Sequence, residues 1–320
     1  MKQSLMIVVK GLISLGLLGF FLSRIDFFHF LGALSNAKFS YIALCLVIYL
    51  LGQLLSSVRW ALLARTVRFE NSLKEFAQYY FIGMFFSLFT PSTVGGDVGR
   101  VYYLAREGAN RKPGAGTTAF ATISVLADRA IGMAVLIWIG AVALLLFPEY
   151  ALPQSIRVVT FAISAALLIG LISLPLVSRV MPGKEHRIGK NLHLALQSYP
   201  RHWRALGNAM LLSLVVHLLQ AWMHVLIGRA LDFDVPWSYA LIIYPLVGTF
   251  SALPVSLNGI GLREGGYLFL LNRIGVSSEH AIAFGLLWFI VVALDSLIGG
   301  LIFILRKSPM AATVAIEADD

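Results

Sequence analysis

Eight apolar runs divide the chain, and most of them are long enough to cross a bilayer as single helices. They cover residues 5–22, 40–63, 76–90, 117–147, 158–178, 206–228, 238–255 and 281–305. A transmembrane helix needs about 20 apolar residues, and the run at 76–90 is short for this. The runs are unbroken rather than alternating, which excludes a β-barrel. The run Leu5 to Leu22 lacks a small-residue cleavage site before Arg24, so we expect a retained first helix.

Composition agrees with this pattern and excludes soluble classes of protein. The chain is 58% hydrophobic and only 13% charged, with a mean hydropathy of +0.82, whereas soluble domains are about 25% charged. A soluble enzyme, a nucleic-acid-binding module and a disordered chain are therefore excluded. The net charge of +9 comes from basic residues in short loops, as in cytoplasmic loops that face anionic lipid. We predict an all-α polytopic membrane protein without nucleic-acid partners.

The distribution of basic residues predicts the topology. If every run crosses and the N-terminus is inside, 8 basic residues fall in cytoplasmic loops and 14 outside, against the positive-inside rule. If the runs starting at 76 and 238 instead enter and return to their own side, the count becomes 16 inside and 6 outside, with Lys10, Arg59 and Arg129 within spans. We therefore predict about six crossing helices, two re-entrant helical hairpins and both termini in the cytoplasm.

The two re-entrant segments also resemble each other. Pro91 is followed by Gly96 at +5 and Arg100 at +9, and Pro254 is followed by Gly and Arg at the same offsets. One segment would enter from the inside and the other from the outside, which is the layout of an inverted repeat with broken helices that meet near the bilayer midplane. We predict a single transmembrane domain at 1–307 and a disordered cytoplasmic tail at 308–320.

The first broken segment contains the sequence Gly95-Gly96-Asp97-Val98-Gly99-Arg100. Glycines at a helix start expose backbone N–H groups that can hold an anion such as a lipid phosphate, and Arg100 could add a bidentate contact. The alternative is structural, with Arg100 as an interfacial cytoplasmic arginine and Asp97 as a helix N-cap.

The second segment repeats this chemistry with Asn258, Gly259, Arg263 and Glu264. Its glycines resemble a dinucleotide fingerprint, but no βαβ unit can surround them in this chain. We interpret the segment as the partner site of the first, and the alternative is an ordinary glycine-rich loop.

Further ionisable and polar residues lie within the predicted spans. Asp128 and Arg129 are adjacent, so on a helix they do not face each other and need partners elsewhere. Arg59 is a candidate partner for one of the acids, and Asp295 lies near the middle of the last run. Substrate contact and structural pairing are both open for these residues. His217, Gln220 and His224 form one helical stripe, which favours polar bonding between helices over a proton relay or head-group contact.

Three sequences in a fixed order resemble a known family. Pro91-Ser92-x-x-Gly95-Gly96-Asp97-x-x-Arg100, Asp128-Arg129-x-x-Gly132 and Asn258-Gly259-x-Gly261-x-Arg263-Glu264 are similar to the lysylphosphatidylglycerol synthase transmembrane region, or flippase-like UPF0104, family. The resemblance covers about residues 5–305. It implies a bacterial inner-membrane protein related to the lipid-flipping half of multiple peptide resistance factors. Those proteins also contain an aminoacyl-transferring domain, for which this chain has no room, so lysyl transfer is not expected.

These observations together predict a lipid translocase rather than an enzyme. The expected substrate is a lipid with an anionic, phosphate-bearing head group, and a glycerophospholipid and a polyprenyl-phosphate carrier are both open. No cofactor or metal is expected, because Cys45 is the only cysteine and lies within an apolar run. The alternative function is an enzyme, or an enzyme subunit, that acts on lipid-linked substrates. A partner lipid-modifying enzyme is also possible.

Overall fold

The computed structural model describes residues 26–89, 94–111, 117–180, 199, 202–253, 256 and 259–306, and every regular element in these ranges is helical. In chain order the helices are α1 (Phe27–Ser35), α2 (Phe39–Thr66), α3 (Leu73–Phe89), α4 (Val94–Arg111), α5 (Thr117–Leu146), α6 (Gln154–Val180), α7 (Trp203–Ala230), α8 (Trp237–Ser251), α9 (Leu262–Leu271) and α10 (Ser278–Leu305). One 3₁₀ turn, Asn272–Ile274, follows α9. The predicted helical class is confirmed. The predicted first helix and C-terminal tail, together with Pro91 and Pro254, lie outside the described residues.

Five helices are long and apolar enough to cross a membrane: α2, α5, α6, α7 and α10. They coincide with the apolar runs at 40–63, 117–147, 158–178, 206–228 and 281–305, so the sequence placed them correctly. Helix α6 lies at the periphery, where Ile169 and Ile172 are exposed as expected for contact with lipid. Helices α2 and α7 pack along each other in the interior. The chain is therefore a multi-pass membrane protein.

Helices α3 and α8 are shorter than the five candidate spans. They contain 17 and 15 residues, so at about 1.5 Å per residue they fall short of a hydrocarbon core about 30 Å thick. Each is followed by a helix that runs back towards its start. The Tyr79 hydroxyl near the start of α3 donates to Glu107 near the end of α4, and the Tyr239 hydroxyl near the start of α8 donates to the Leu270 carbonyl near the end of α9, at 2.7 Å.

The helical pairs α3–α4 and α8–α9 pack against long helices from the opposite half of the chain. Helix α3 lies against α10, and α8 lies against α5. Glycines allow both contacts to be close. A Cβ atom on Gly299 would lie 1.9 Å from the Phe81 carbonyl oxygen, and one on Gly140 would lie 2.9 Å from the Pro245 Cβ atom. Small residues at such positions let helices associate in lipid, where van der Waals packing replaces the hydrophobic effect.

Candidate functional site

A cavity of about 410 Å³ lies among the helices and is lined by many buried polar residues. Its walls come from every described α-helix except α1 and α6. The ionisable and hydrogen-bonding residues in the lining are Tyr49, Gln53, Ser56, Arg59, Tyr80, Ser87, Asp97, Arg100, Asp128, Arg129, His217, Gln220, Tyr244, Arg263, Trp288 and Ser296. The two halves of the chain, which the sequence linked through Arg100 and Arg263, therefore meet at one cavity.

Asp128 on α5 is the centre of a buried ion-pair cluster. Its Oδ1 atom accepts from Arg59 Nε at 2.7 Å, and its Oδ2 atom accepts from Arg100 Nη2 at 2.7 Å. All three side chains are at least nine-tenths buried. Arg59 also donates to the Ser213 hydroxyl at 2.9 Å. The prediction that Arg59 pairs with one of the acids is confirmed, and this contact connects α2, α5 and α7.

Asp97 extends the cluster towards the cavity. Arg129 Nε lies 2.7 Å from its Oδ2 atom, and Arg100 Nη1 lies 3.4 Å from its Oδ1 atom. Helix α4 already begins at Val94, so Asp97 lies in its first turn and is not an N-cap. Arg100 is only 5% exposed, which excludes the alternative of an interfacial arginine. Three arginines thus share two carboxylates.

Arg263 and Glu264 form a separate pair on α9. Arg263 Nε donates to Glu264 Oε1 at 2.9 Å, and the other carboxylate oxygen accepts from the Gly261 backbone N–H at 2.7 Å. Glu264 therefore caps the start of α9 while it neutralises Arg263. Arg263 lines the cavity, and Glu264 lies behind it.

Arg100 and Arg263 each lie against two aromatic rings. The Arg100 guanidinium carbon is 4.2 Å from the ring centre of Trp60 and 4.5 Å from that of Tyr80. The corresponding distances from Arg263 are 5.2 Å to Trp288 and 4.9 Å to Phe289. Cation–π contacts of this kind hold a desolvated guanidinium in a fixed orientation. These aromatic residues were not predicted from the sequence, because an aromatic side chain inside an apolar run carries no distinguishing signal.

Hydrogen-bond donors are in excess around the cavity. Among the described residues, Arg100 Nε, Gln220 Nε2 and Trp288 Nε1 are buried and have no acceptor. All three belong to residues of the cavity lining. A buried donor without a partner costs about 1–3 kcal/mol, so such groups usually indicate a ligand or bound water. A ligand rich in acceptor oxygens would satisfy them.

The histidine stripe on α7 joins helices. His217 Nε2 lies 2.9 Å from the Gly132 carbonyl oxygen, which can only accept, so the Tyr244 hydroxyl donates to Nδ1 at 2.8 Å. By the same logic His224 donates from Nδ1 to the Gln220 carbonyl and accepts from the Tyr267 hydroxyl. The interpretation as polar bonds between helices is confirmed for His217 and His224, whereas the Nε2 atom of Gln220, the third residue of the stripe, has no partner among the described residues.

The glycines before α9 and in the first turn of α4 are required by the backbone geometry. A Cβ atom on Gly96 would lie 2.1 Å from both the Gly83 carbonyl oxygen and the Ser87 hydroxyl, so Gly96 allows α3 and α4 to touch. Gly259 and Gly261 adopt φ values of +75° and +85°, which form the turn into α9.

The structure brings together most of the predicted site. Its cavity lining contains Gly96, Asp97, Arg100, Asp128, Arg129 and Arg263. Gly95, Gly259 and Glu264 lie outside the lining, and Asn258 lies outside the described residues. A role for any of these ten residues in binding a head group stays a prediction.

Comparison with known families now places the chain. The model of the family described as lysylphosphatidylglycerol synthase TM region matches residues 7–299. The chain belongs to that family. This lysylphosphatidylglycerol synthase TM-region assignment confirms the resemblance seen in the sequence and agrees with the five membrane-spanning helices. A comparison with curated proteins finds no match.

Proposed function

We propose that this protein is a lipid translocase that moves a lipid with an anionic, phosphate-bearing head group between the leaflets without changing it chemically. The observation that carries the proposal is the cavity among the membrane-spanning helices. Its lining contains the four arginines Arg59, Arg100, Arg129 and Arg263. Three carboxylates form ion pairs with them: Asp97, Asp128 and Glu264. Among the described residues that line the cavity and their ion-pair partners, one positive charge remains uncompensated.

This surplus suits the energetic problem of moving a head group. A charge at the centre of a bilayer costs at least about 2.5–3.5 kcal/mol, so a translocase has to supply compensating polar groups there. The three unpartnered donors and the excess positive charge would stabilise phosphate oxygens. The cavity volume of about 410 Å³ is that of a small-ligand site and would hold a head group while the acyl chains stay in lipid.

The contacts of the short helices support the proposed topology. Glu107 near the end of α4 accepts from Arg306, which follows α10, at 2.6 Å. Beyond the C-terminal end of α5, the guanidinium of Arg273, which follows α9, donates to the Ala151 carbonyl at 2.7 Å. We propose that the α3–α4 and α8–α9 pairs are re-entrant hairpins that open to opposite sides of the membrane, the first to the cytoplasm.

The packing also supports an inverted repeat of α2–α5 and α7–α10. Each helix contact has a counterpart under exchange of the two units: α3 on α10 corresponds to α8 on α5, and α2 on α3 corresponds to α7 on α8. An inverted repeat whose broken helices meet at a shared site is a common arrangement in transporters that give alternating access. We place the protein in a bacterial inner membrane with cytoplasmic termini.

A leaflet-resolved assay tests the proposal. The protein is reconstituted into liposomes that contain a trace of fluorescent phosphatidylglycerol, and dithionite quenching measures the outer-leaflet fraction over time. We expect faster exchange than in protein-free liposomes and in liposomes with Arg100→Ala/Arg263→Ala protein. A fluorescent polyprenyl phosphate, tested in parallel, distinguishes the two lipid classes. Absence of exchange for both probes, or the appearance of a new lipid species by mass spectrometry, would contradict the proposal and favour an enzyme.

A further inference from the structure

Asp295 on α10 differs from every other acid near the cavity. It is 5% exposed, and its Oδ2 atom is buried without a hydrogen-bond partner among the described residues. Asp97 and Asp128 each contact two arginines, and Glu264 contacts one, whereas no ion pair to Asp295 is present in the described part of the chain. An unpaired carboxylate is the most costly group to keep ionised in such surroundings.

The position of Asp295 connects it with the cavity. It is the eighteenth of 28 residues in α10, which places it inside the membrane-spanning stretch. Val292 and Ser296, the residues one turn before it and immediately after it, both line the cavity. The helices packed against α10 bring these titratable or charged groups to the cavity: Tyr49 and Arg59 (α2), Tyr80 (α3), His217 (α7) and Arg263 (α9). Helix α1 brings His29 to the far end of α10.

None of these groups neutralises Asp295 by a salt bridge. Arg263 is occupied by Glu264, and His217 already uses both ring nitrogens. Arg59 is paired with Asp128, and Tyr49 carries no positive charge. A metal cation is also a poor fit, because the described residues contain no cluster of three or more histidines, cysteines or acids. A proton is the cation that one isolated carboxylate can bind.

We propose that Asp295 is a proton-binding site whose protonation is coupled to binding of the lipid anion, so that one proton and one lipid cross together. The inference rests on the proposed function. With Asp295 protonated, the cavity retains the single excess positive charge described above and accepts one negative head group. With Asp295 ionised, that excess is cancelled and the anion is repelled.

The coupling is reciprocal. A bound anion makes the proton on Asp295 harder to lose, because an ionised Asp295 beside the cavity would repel a negative charge within it. The proton strengthens binding of the anion by the same factor. On the other side of the membrane the proton dissociates, and Asp295 returns to its ionised form. The transported pair of proton and lipid anion carries no net charge. A pH gradient, and not the membrane potential, would then drive net lipid movement.

The experiment uses the liposome assay with fluorescent phosphatidylglycerol and an imposed pH gradient. We expect the wild-type protein to accumulate the probe in the leaflet on the alkaline side, approaching about tenfold asymmetry per pH unit for one coupled proton. A sodium gradient at equal pH should have no effect. Probe exchange without any response to the pH gradient would overturn the proton-coupling proposal and leave translocation intact. No exchange at any pH would instead overturn the proposed function itself.

Two variants make the assignment to Asp295 specific. Asp295→Asn keeps the shape of the protonated acid but cannot release a proton, so it should exchange the probe equally in both directions and lose the gradient response. Asp232→Asn is the matched control. The Asp232 carboxylate lies outside the membrane-spanning helices, and a hydrogen bond from Lys38 lowers its pKa. The same chemical change therefore removes a negative charge at a position far from the cavity. We expect the control to behave as wild type, and a gradient response retained by Asp295→Asn would overturn the assignment.

A second measurement covers the case in which Asp295→Asn does not fold. Wild-type protein in weakly buffered detergent is mixed with short-chain phosphatidylglycerol, and a pH indicator reports proton exchange. We expect uptake of about one proton per bound lipid at a pH where Asp295 is ionised in the free protein. Lipid binding without proton uptake across the pH range would overturn the proposal.

Discussion

The two arginines of the repeat should differ in how much stability the protein loses when each is replaced by alanine. Their aromatic surroundings are matched, since each lies against two rings. Their acids are not matched. When Arg100 is removed, Asp128 keeps its 2.7 Å contact with Arg59, and Asp97 keeps its 2.7 Å contact with Arg129. Replacing Arg263 leaves Glu264 with the Gly261 N–H as its one remaining partner among the described residues.

The magnitudes follow from these remaining contacts. Arg100→Ala loses hydrogen bonds to charged groups that are still paired, which costs about 1.5–3 kcal/mol. Arg263→Ala breaks a pair whose side chains are both 6% exposed and leaves a buried carboxylate, which costs about 3–5 kcal/mol. The difference corresponds to a few degrees in the apparent melting temperature, at about 2 °C per kcal/mol for a chain of this size.

Detergent thermostability measured by fluorescence-detected size exclusion provides the assay. We expect Arg263→Ala to melt below Arg100→Ala, and Arg263→Ala/Glu264→Ala to recover part of the loss, because the double variant leaves no unpaired acid. Arg100→Ala/Asp97→Ala should recover little, since Asp97 was never left alone. Equal melting temperatures of the two single variants, with no recovery in the Arg263→Ala/Glu264→Ala protein, would refute this reasoning. Arg59 and Arg129 would then not compensate for the loss of Arg100 by keeping Asp128 and Asp97 paired.

Three further predictions follow from the packing, the proposed topology and the charge cluster. Gly299→Ala should destabilise the protein by about 1–3 kcal/mol or prevent folding, because its Cβ atom would overlap the Phe81 carbonyl, while Gly170→Ala, which meets nothing within 4 Å, should melt like wild type. In a Cys45→Ala background, a cysteine at Lys74 should react only with cytoplasmic reagents and one at Asp234 only with periplasmic reagents; cytoplasmic labelling of both cysteines, which is expected if every apolar run crosses, would exclude the re-entrant topology. Arg100→Lys should recover only part of the transport lost in Arg100→Ala, because lysine keeps the charge but not the bidentate geometry, and full recovery in the liposome assay would show that charge alone suffices.

Much of the architecture could be predicted because lipid imposes a simple rule on the chain. A membrane-spanning helix must satisfy its backbone internally and be apolar over its length, so hydrophobic runs mark the helices directly. All five described spans begin and end within about five residues of the predicted runs. Helix α1 was not predicted. It has nine residues, of which Phe28 and Leu31 are largely exposed, and it is too short to produce a hydropathy signal.

The packing of the two halves could be predicted less well. The repeated Pro–Gly–Arg spacing indicated that Arg100 and Arg263 are related, and the structure places both at one cavity. It gave no information on which helices touch, because the contacts of α3 with α10 and of α8 with α5 join segments far apart in sequence. The glycines illustrate the same limit. Gly96 was interpreted as part of an anion cradle, but its immediate physical role is the close approach of α3 and α4.

The acids within the spans show most clearly what a sequence leaves undetermined. Asp128 and Asp295 look alike in the chain, since each is the single acid of a long apolar run, 117–147 and 281–305 respectively. Ionisable residues at such positions are costly and need a partner or a function. The partner of Asp128 comes from 69 residues away on α2, a distance over which no local pattern can report pairing. Only the fold reveals that Asp128 holds two arginines while Asp295 has none among the described residues. For Asp128 the fold supplies a structural explanation, and the absence of one for Asp295 is the reason to assign it a proton.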